Sequence, residues 1–508
     1  MSTWIGTVST DWNNALNWGA GGTGTGIPSA TVDAIFSGTP VNNCVMGANR
    51  SCRALTFTGY TGTLTVATFT LTANNNITFQ ADQSSRIIGT TGRLALAANS
   101  TITSNNGIWN LDILFQNFLG ATFALPDDLR VVGSYIGSGG GTQTFTGVGN
   151  IYIGGNVTMT GVRSSATGNL IMNGTGTYSG ASISDLEINT TGSITITGTV
   201  QFTRRFIITA VGPITMTAAN VTIINTTTID LGGRSIGNLS HLTGGVSTYT
   251  YLTNVQCSSL TLSASNTSTY TGPGKILASG SYTFSAGNAN GTLVVELKGT
   301  GTMSTGTSLL PLTISTSGTI TTSSFTLGNT LTYTAGAVNT GATTMTLNTG
   351  VTVNSAGINW YNVTVPTSVS VVLSSLLNIT NDLTISGNFV SAFSGTAGWT
   401  CANLLCSSAG RTITLQAGIT YTTTNNVIML GTNAQKILMT SSAPTTTYAI
   451  WTLQNPASQS MTYVNAQGID SNAGMTIYSF QGVVLTSLPA LNWGLGASQG
   501  TKAFTFVS

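Results

Sequence analysis

Three observations predict an all-β chain wound as a parallel β-helix, or β-solenoid. They are short runs that alternate apolar or β-branched residues with Thr and Ser, punctuation of those runs by Gly and Asn, and a composition that starves helices. The runs include ALTFTG, GTLTVATFTLT, SITITG, LTYTAG, TMTLN, VTVNS and RTITLQ. Their period of two is the strand signal, and Thr suits a pleated surface while keeping it neutral. Charged residues make up 5% of the chain, against about 25% in ordinary soluble proteins. Only two glutamates (Glu187, Glu296) and three lysines (Lys275, Lys298, Lys436) occur. These are the strong helix formers on which exposed helix surfaces depend, so helices are expected to be scarce.

Few runs are joined by the Asn-Gly turn of an antiparallel hairpin. A looser repeat overlies them, visible when LDILFQNFLGATFALPDDLRVVGSYIG from Leu111 is set beside DLEINTTGSITITGTVQFTRRFIITAVG from Asp185. Each copy carries a short strand, a polar link, a second strand, and a third that closes near a Gly. Such a unit cannot bury its inward face alone, but a stack of them buries a continuous apolar column. A string of tandem small β-sandwiches is the alternative, although repeated linkers and a steady domain length are missing. The expected organisation is a Trp-rich capping and attachment segment over 1–52, a solenoid body over 53–450, and closing coils with a cap over 451–508.

A stacked solenoid exposes unpaired backbone and apolar core at each end, and terminal segments must cover them. Trp4, Trp12 and Trp18 supply three of the eight tryptophans, all within the first eighteen residues. With Val32, Ile35 and Phe36 they form the densest aromatic and apolar cluster near the N-terminus. Asp11, Asn13, Asn14 and Asn17 suit tight turns that bond nearby backbone. Capping is therefore the first reading of STDWNNALNW; a docking surface is the second, and a sugar-stacking platform the third. Asp11 and Asp33 without a ligand loop are only a weak cation signal.

The pattern formed by Trp4, Gly6, Ser9, Asp11, Trp12, Asn13, Asn17, Trp18, Pro28, Asp33 and Phe36 resembles the opening of repetitive β-helical surface and virion proteins. These occur among bacterial adhesin-like sequences and in tailed phages. The closing MTYVNAQGIDSNAGMTIYSF, followed by Leu491–Trp493, is similar to the final coils of the same group. The resemblance implies a β-helical surface or appendage protein that assembles as a homo-oligomer, a trimer by the usual construction of such appendages. It implies no catalytic residues.

Charge excludes other classes. The net charge of +2 is spread thinly, with Arg204-Arg205 the densest cationic spot. Nucleic-acid binding needs clustered Lys and Arg, so none is expected. No apolar run reaches the roughly 18 residues of a spanning helix, so no membrane insertion is expected. The N-terminus lacks a basic region followed by an apolar one; with a composition like that of an extracellular surface, the routes out of the cell are release by lysis, as for a virus particle, a processed precursor, or a leaderless secretion system. Of the five cysteines, Cys44 with Cys52 and Cys401 with Cys406 are close enough in sequence for local disulfides, but buried free thiols are the favoured reading. Their spacing and the single His241 give no zinc pattern, and no metal or cofactor is expected.

Polysaccharide cleavage would need two carboxylates facing one another across a groove. The close sets are Asp127-Asp128, which reads as a turn after Pro126, and Asp185 with Glu187, which reads as a solvated strand face with Leu186 and Ile188 inward. Glu187 one coil from Arg204-Arg205 is the one conceivable lyase setting. With so few titratable side chains, the chain is expected not to be an enzyme. The leading expectation is a structural virion protein of a tailed phage: a fibre, spike or capsid-decorating appendage on the virion surface. Its expected partners are other virion proteins, copies of itself, and a host-surface glycan or protein. A bacterial cell-surface adhesin or extracellular filament subunit is the alternative, and a depolymerase the third. GSYIGSGGGTQT and AFSGTAGWTCANLLC are the candidate contact loops.

Overall fold

Alternation becomes pairing with the neighbouring turn of the same chain. In the computed structural model, Asp112–Gln116, Thr122–Ala124 and Leu129–Val131 form the three strands of one turn, and Tyr135–Ser138, Thr142–Thr146 and Ile151–Ile153 those of the next. The two sets pair in parallel, Ile113 against Tyr135, Phe123 against Phe145 and Leu129 against Ile151. Side-chain bonds between turns, such as Ser165 N to Ser184 Oγ and Thr101 N to Asn76 Oδ1, span 19 and 25 residues, about the length of one coil. The described residues are all those of the chain except 20–25, 98, 117–119, 166, 210, 217–218, 244, 265–266, 287, 305, 349, 367–368, 387–389, 486–488 and 497–508. The last of these stretches is the end of the expected closing segment and lies outside the description.

The chain divides into two compact units, Met1–Leu242 with Thr248–Val255, and Thr243–Ser247 with Gln256–Ser508. Each is a parallel β-solenoid. In the second, Thr344–Leu347 pairs with Asn362–Val365, which pairs with Leu377–Ile385, and the ladder continues through Trp399–Cys406 and Thr420–Leu430. Sandwiches need antiparallel neighbours; among the described strand pairs only Ser2–Trp4 with Trp18–Gly19 is antiparallel. The solenoid prediction therefore holds and the tandem-sandwich alternative falls.

The core is a column inside each unit. Inward residues of successive turns stack, Phe115 on Tyr135 at 5.1 Å and Phe123 near Phe145 at 5.4 Å between ring centroids. This follows from the strand spacing of about 4.8 Å, which puts like side chains of adjacent rungs in contact. Turns must also clear one another. Gly147 has φ +92°, and a Cβ there would lie 2.3 Å from the Leu125 carbonyl oxygen of the turn before. Only glycine fits that corner.

Helix is as scarce as composition predicts: among the described residues there is one four-residue turn at Gln83–Arg86 and one 3-10 turn at Ala15–Asn17. Two expectations change. Runs read as separate short strands fuse into long bent ones, as in Leu377–Ile385, where a register shift between Ile379 and Asp382 turns Thr380, Asn381 and Asp382 outward at a corner. The candidate contact loops are mostly strand as well, being built around Tyr135–Ser138 and Thr142–Thr146, and around Val390–Gly395 and Trp399–Cys406. Their glycines mark tight corners between strands.

Candidate functional site: a sealed first turn and uncharged ladders

The N-terminal tryptophans are buried, and none presents a ring to solvent. Trp4 meets Trp18 edge-on at 5.0 Å, Trp18 meets Trp12 at 4.8 Å, and both Trp12 and Trp18 pack against Phe36. Phe36 in turn stacks on Phe57 of the next turn at 4.8 Å. Two of the three indole N–H groups are used inside the cluster, Trp18 Nε1 donating to the Trp12 carbonyl (2.7 Å) and Trp4 Nε1 to that of Asn42 (2.9 Å), while the Trp12 N–H is buried without a hydrogen bond. Trp18–Gly19 covers the edge of Ser2–Trp4 with an antiparallel pairing two residues long. An edge this short offers little template for another chain.

Asn17 is the hub of this turn. Its buried side chain accepts from the backbone N–H groups of Val8 and Ser9 (3.0 Å each) and donates to Ser9 Oγ and the Asp11 carbonyl (2.9 Å each). Asp11 bridges to Val45 through its backbone, and its carboxylate accepts from Asn13 N (2.8 Å), an Asx turn. Asp33 is held apart from Asp11 by different work: Arg53 of the next turn grips it with two bonds of 2.7 Å. That guanidinium bond holds the Asp33 carboxyl below its ordinary value of 3.8. Among the described residues no three His, Cys, Asp or Glu side chains gather as a cation site.

The carboxylate pairs weighed for catalysis do not converge on a groove. Asp127 caps the preceding turn, accepting from Ser104 N (2.8 Å) and Asn105 N (2.7 Å), whereas Asp128 accepts from Asn150 N (2.9 Å) in the following one. Glu187 meets Arg205 at 3.0 Å, the contact that the sequence made conceivable. Asp185 corrects the expectation of a solvated face. It is fully buried, because a register shift between Ile183 and Asp185 rotates it under Arg204, which reaches Asp185 Oδ1 at 2.6 Å.

Free thiols, the favoured reading of the cysteines, are what the structure has, and neither of the possible disulfides forms: all five cysteines are free and buried. Cys401 and Cys406 lie on one strand, Trp399–Cys406. Five residues of extended chain span about 16 Å, beyond the roughly 7 Å that a disulfide allows between Cα atoms. Cys44 and Cys52 sit on strands of different sheet faces, pairing with Leu64–Ala67 and Thr70–Ala73. Burial pushes the Cys52 and Cys401 thiols up to about 12, so they behave as small apolar side chains.

One outward-facing feature escaped the sequence reading. Along the second unit, Asn381 Nδ2 donates to Asn362 Oδ1 (2.9 Å), Asn403 Nδ2 to Asp382 Oδ1 (2.8 Å), and Asn426 Nδ2 to Asn403 Oδ1 (2.7 Å). Beside this amide ladder runs a hydroxyl column, Thr326, Thr346, Thr364 and Thr384 in register. Asn recurring once per coil, at separations of 19, 22 and 23 residues, was the available signal.

The single histidine is internal. His241 faces the core while its neighbour Leu242 is 43% exposed, and its Nε2 lies 2.5 Å from Tyr251 Oη. Burial pulls it down to about 3 from 6.5. The folded chain therefore takes up its proton later than the unfolded chain does, and stability is full above pH 6.5. It is lost as pH falls toward 3, at up to about 1.4 kcal/mol per pH unit. Unfolding midpoints measured between pH 7 and 4 should show this slope, and His241→Gln should flatten it; an unchanged slope in the variant would assign the loss to other groups.

No family model matches the chain, and neither the curated proteins nor the solved structures contain a match to it.

Proposed function

We propose that this protein is a non-catalytic structural component of an extracellular assembly, the particle of a tailed phage, in which it serves as a fibre, spike or capsid-decorating appendage on the virion surface. One observation carries the reading: the polar groups of the outer faces are spent on one another across turns. The ladder Asn362–Asn381–Asn403–Asn426 and the caps made by Asp127 and Asp128 stiffen the stack and converge on no substrate. Hydroxyl and amide columns repeat at the rung spacing, so a contact made on one turn can be repeated on the next.

Low charge bears on assembly. Uncharged faces come together without the desolvation that buried ion pairs demand, and little repulsion keeps copies apart. The partners of this reading are other virion proteins and further copies of the chain, as a homotrimer, with a host-surface glycan or protein at the exposed face. The tryptophan cluster around Trp12 and Trp18 acts as an end cap that stops the stack from growing through its first turn. Electron microscopy of intact source particles, with an antibody to this chain as the marker, tests the proposal. Label at fixed symmetric positions on a capsid or tail supports it. Label on a cell envelope or on free filaments would replace it with a bacterial adhesin or filament subunit.

A further inference from the structure

Two arginines are buried inside the solenoid units, and they are treated very differently. Arg411 donates to the carbonyls of Pro366 (2.8 Å) and Ser386 and to Ser391 Oγ. Arg163 is 1% exposed, and no protein atom accepts a hydrogen bond from any of its three guanidinium nitrogens. Its guanidinium lies over the ring of Phe145, with Cζ 4.7 Å from the ring centroid. The position is set by parity. Strand Val157–Ser165 alternates strictly, so Val157, Met159, Arg163 and Ser165 face inward while Val162 faces out.

The surroundings are polar in the same way. Ser165 Oγ is buried without a hydrogen bond, and so are both oxygens of Asp185, whose charge is met by the Arg204 ion pair at 2.6 Å. Gln143, Ser182 and Ser184 are buried beside them. The ladders are irregular here: the register shifts between Met159 and Val162 on one side of strand Gly176–Ile188, and between Ile183 and Asp185 on the other. Opening this turn would expose the buried Val157, Tyr178, Ile183, Leu186 and Ile188, but it would return a guanidinium and a carboxylate to water, which offsets part of that cost. Local opening is drawn to turns whose buried polar groups lack hydrogen bonds.

We propose that strands Val157–Ser165 and Gly176–Ile188 form a latent opening point of the first unit, where one turn detaches while the turns before it stay paired. Opening bares β edges in the middle of the stack, which are otherwise available only at its ends. The proposal is independent of the functional reading.

Hydrogen exchange on the full chain tests it. Amides of 157–165 and 182–188 should exchange at least about tenfold faster than those of Leu129–Val131 and Ile151–Ile153, a difference of about 1.4 kcal/mol. Trypsin on the native protein should cut after Arg163 and leave the equally buried Arg411 intact. Arg163→Met, which keeps the bulk and removes the charge, should slow both the exchange and the cleavage. Uniform protection across the first unit with no cut at Arg163 in the wild-type chain overturns the proposal without recourse to the variant. Fast exchange that Arg163→Met leaves unchanged overturns the assigned cause.

Discussion

Trp18→Ala is expected to destabilise the N-terminal end of the first unit by about 3–5 kcal/mol, the usual cost of emptying a buried indole site. Trp18 touches Trp4, Trp12 and Phe36, so its loss opens the space that three rings share. It also removes the donor to the Trp12 carbonyl, which lies in the turn organised by Asn17. In a quasi-one-dimensional stack each turn leans on its neighbours, and a loss at the end frays inward from that end. Denaturant unfolding followed by hydrogen exchange should therefore show early exposure of Ser2–Trp4 and Ala34–Ser37, with later turns little changed. Trp18→Phe, which keeps a ring but not the N–H, should cost markedly less. A change below about 1 kcal/mol in Trp18→Ala would mean that the indole is not part of a packed seal, and the end-cap reading would be lost.

Arg411→Met should destabilise the second unit, the opposite sign to Arg163→Met in the first. Methionine fills much of the same volume, so the difference lies in the partners left behind. Removing Arg411 leaves the part-buried carbonyls of Pro366 and Ser386 and the buried hydroxyl of Ser391 without this donor. Each buried acceptor left without a donor costs about 1–3 kcal/mol. Removing Arg163 strands no hydrogen-bond acceptor, because none accepts from it, and Asp185, whose charge favours the Arg163 cation, keeps Arg204 at 2.6 Å; taking away a buried charge that makes no hydrogen bond relieves its desolvation cost. Melting the two variants beside the wild type gives the comparison. Shifts of the same sign would show that the two guanidinium groups sit in equivalent surroundings, against the bonding described above.

Much of the fold was legible because strand parity is a local property. In RTITLQ, Ile413 and Leu415 share a face, and Arg411 shares it with them. In VTMTGVRSS the same counting puts Arg163 with Val157 and Met159. The same counting would have placed both arginines inside, against the general rule that arginine lies outside, a consequence the sequence reading did not draw. Local pattern could not say whether the interior would supply acceptors. That depends on residues one and two turns away: Ser386 and Pro366 for Arg411, and a neighbourhood of Phe145 and serines for Arg163. The buried Asp185 shows the same limit, since only the register shift between strands takes it out of phase with the expected face.

By itself the sequence determined the all-β class, the parallel stacking, the scarcity of helix and the sealed aromatic start, because each follows from residue periodicity and composition. It also marked the acidic pairs as poor catalytic candidates. The tertiary structure alone decided which polar side chains meet. The Asn362–Asn426 ladder, the opposite reach of Asp127 and Asp128, the separation of the cysteines and the fates of Arg163 and Arg411 all depend on register between turns about 19 to 25 residues apart. Register is set by bulges and corner glycines that no single strand encodes, and one residue of slip exchanges inside for outside.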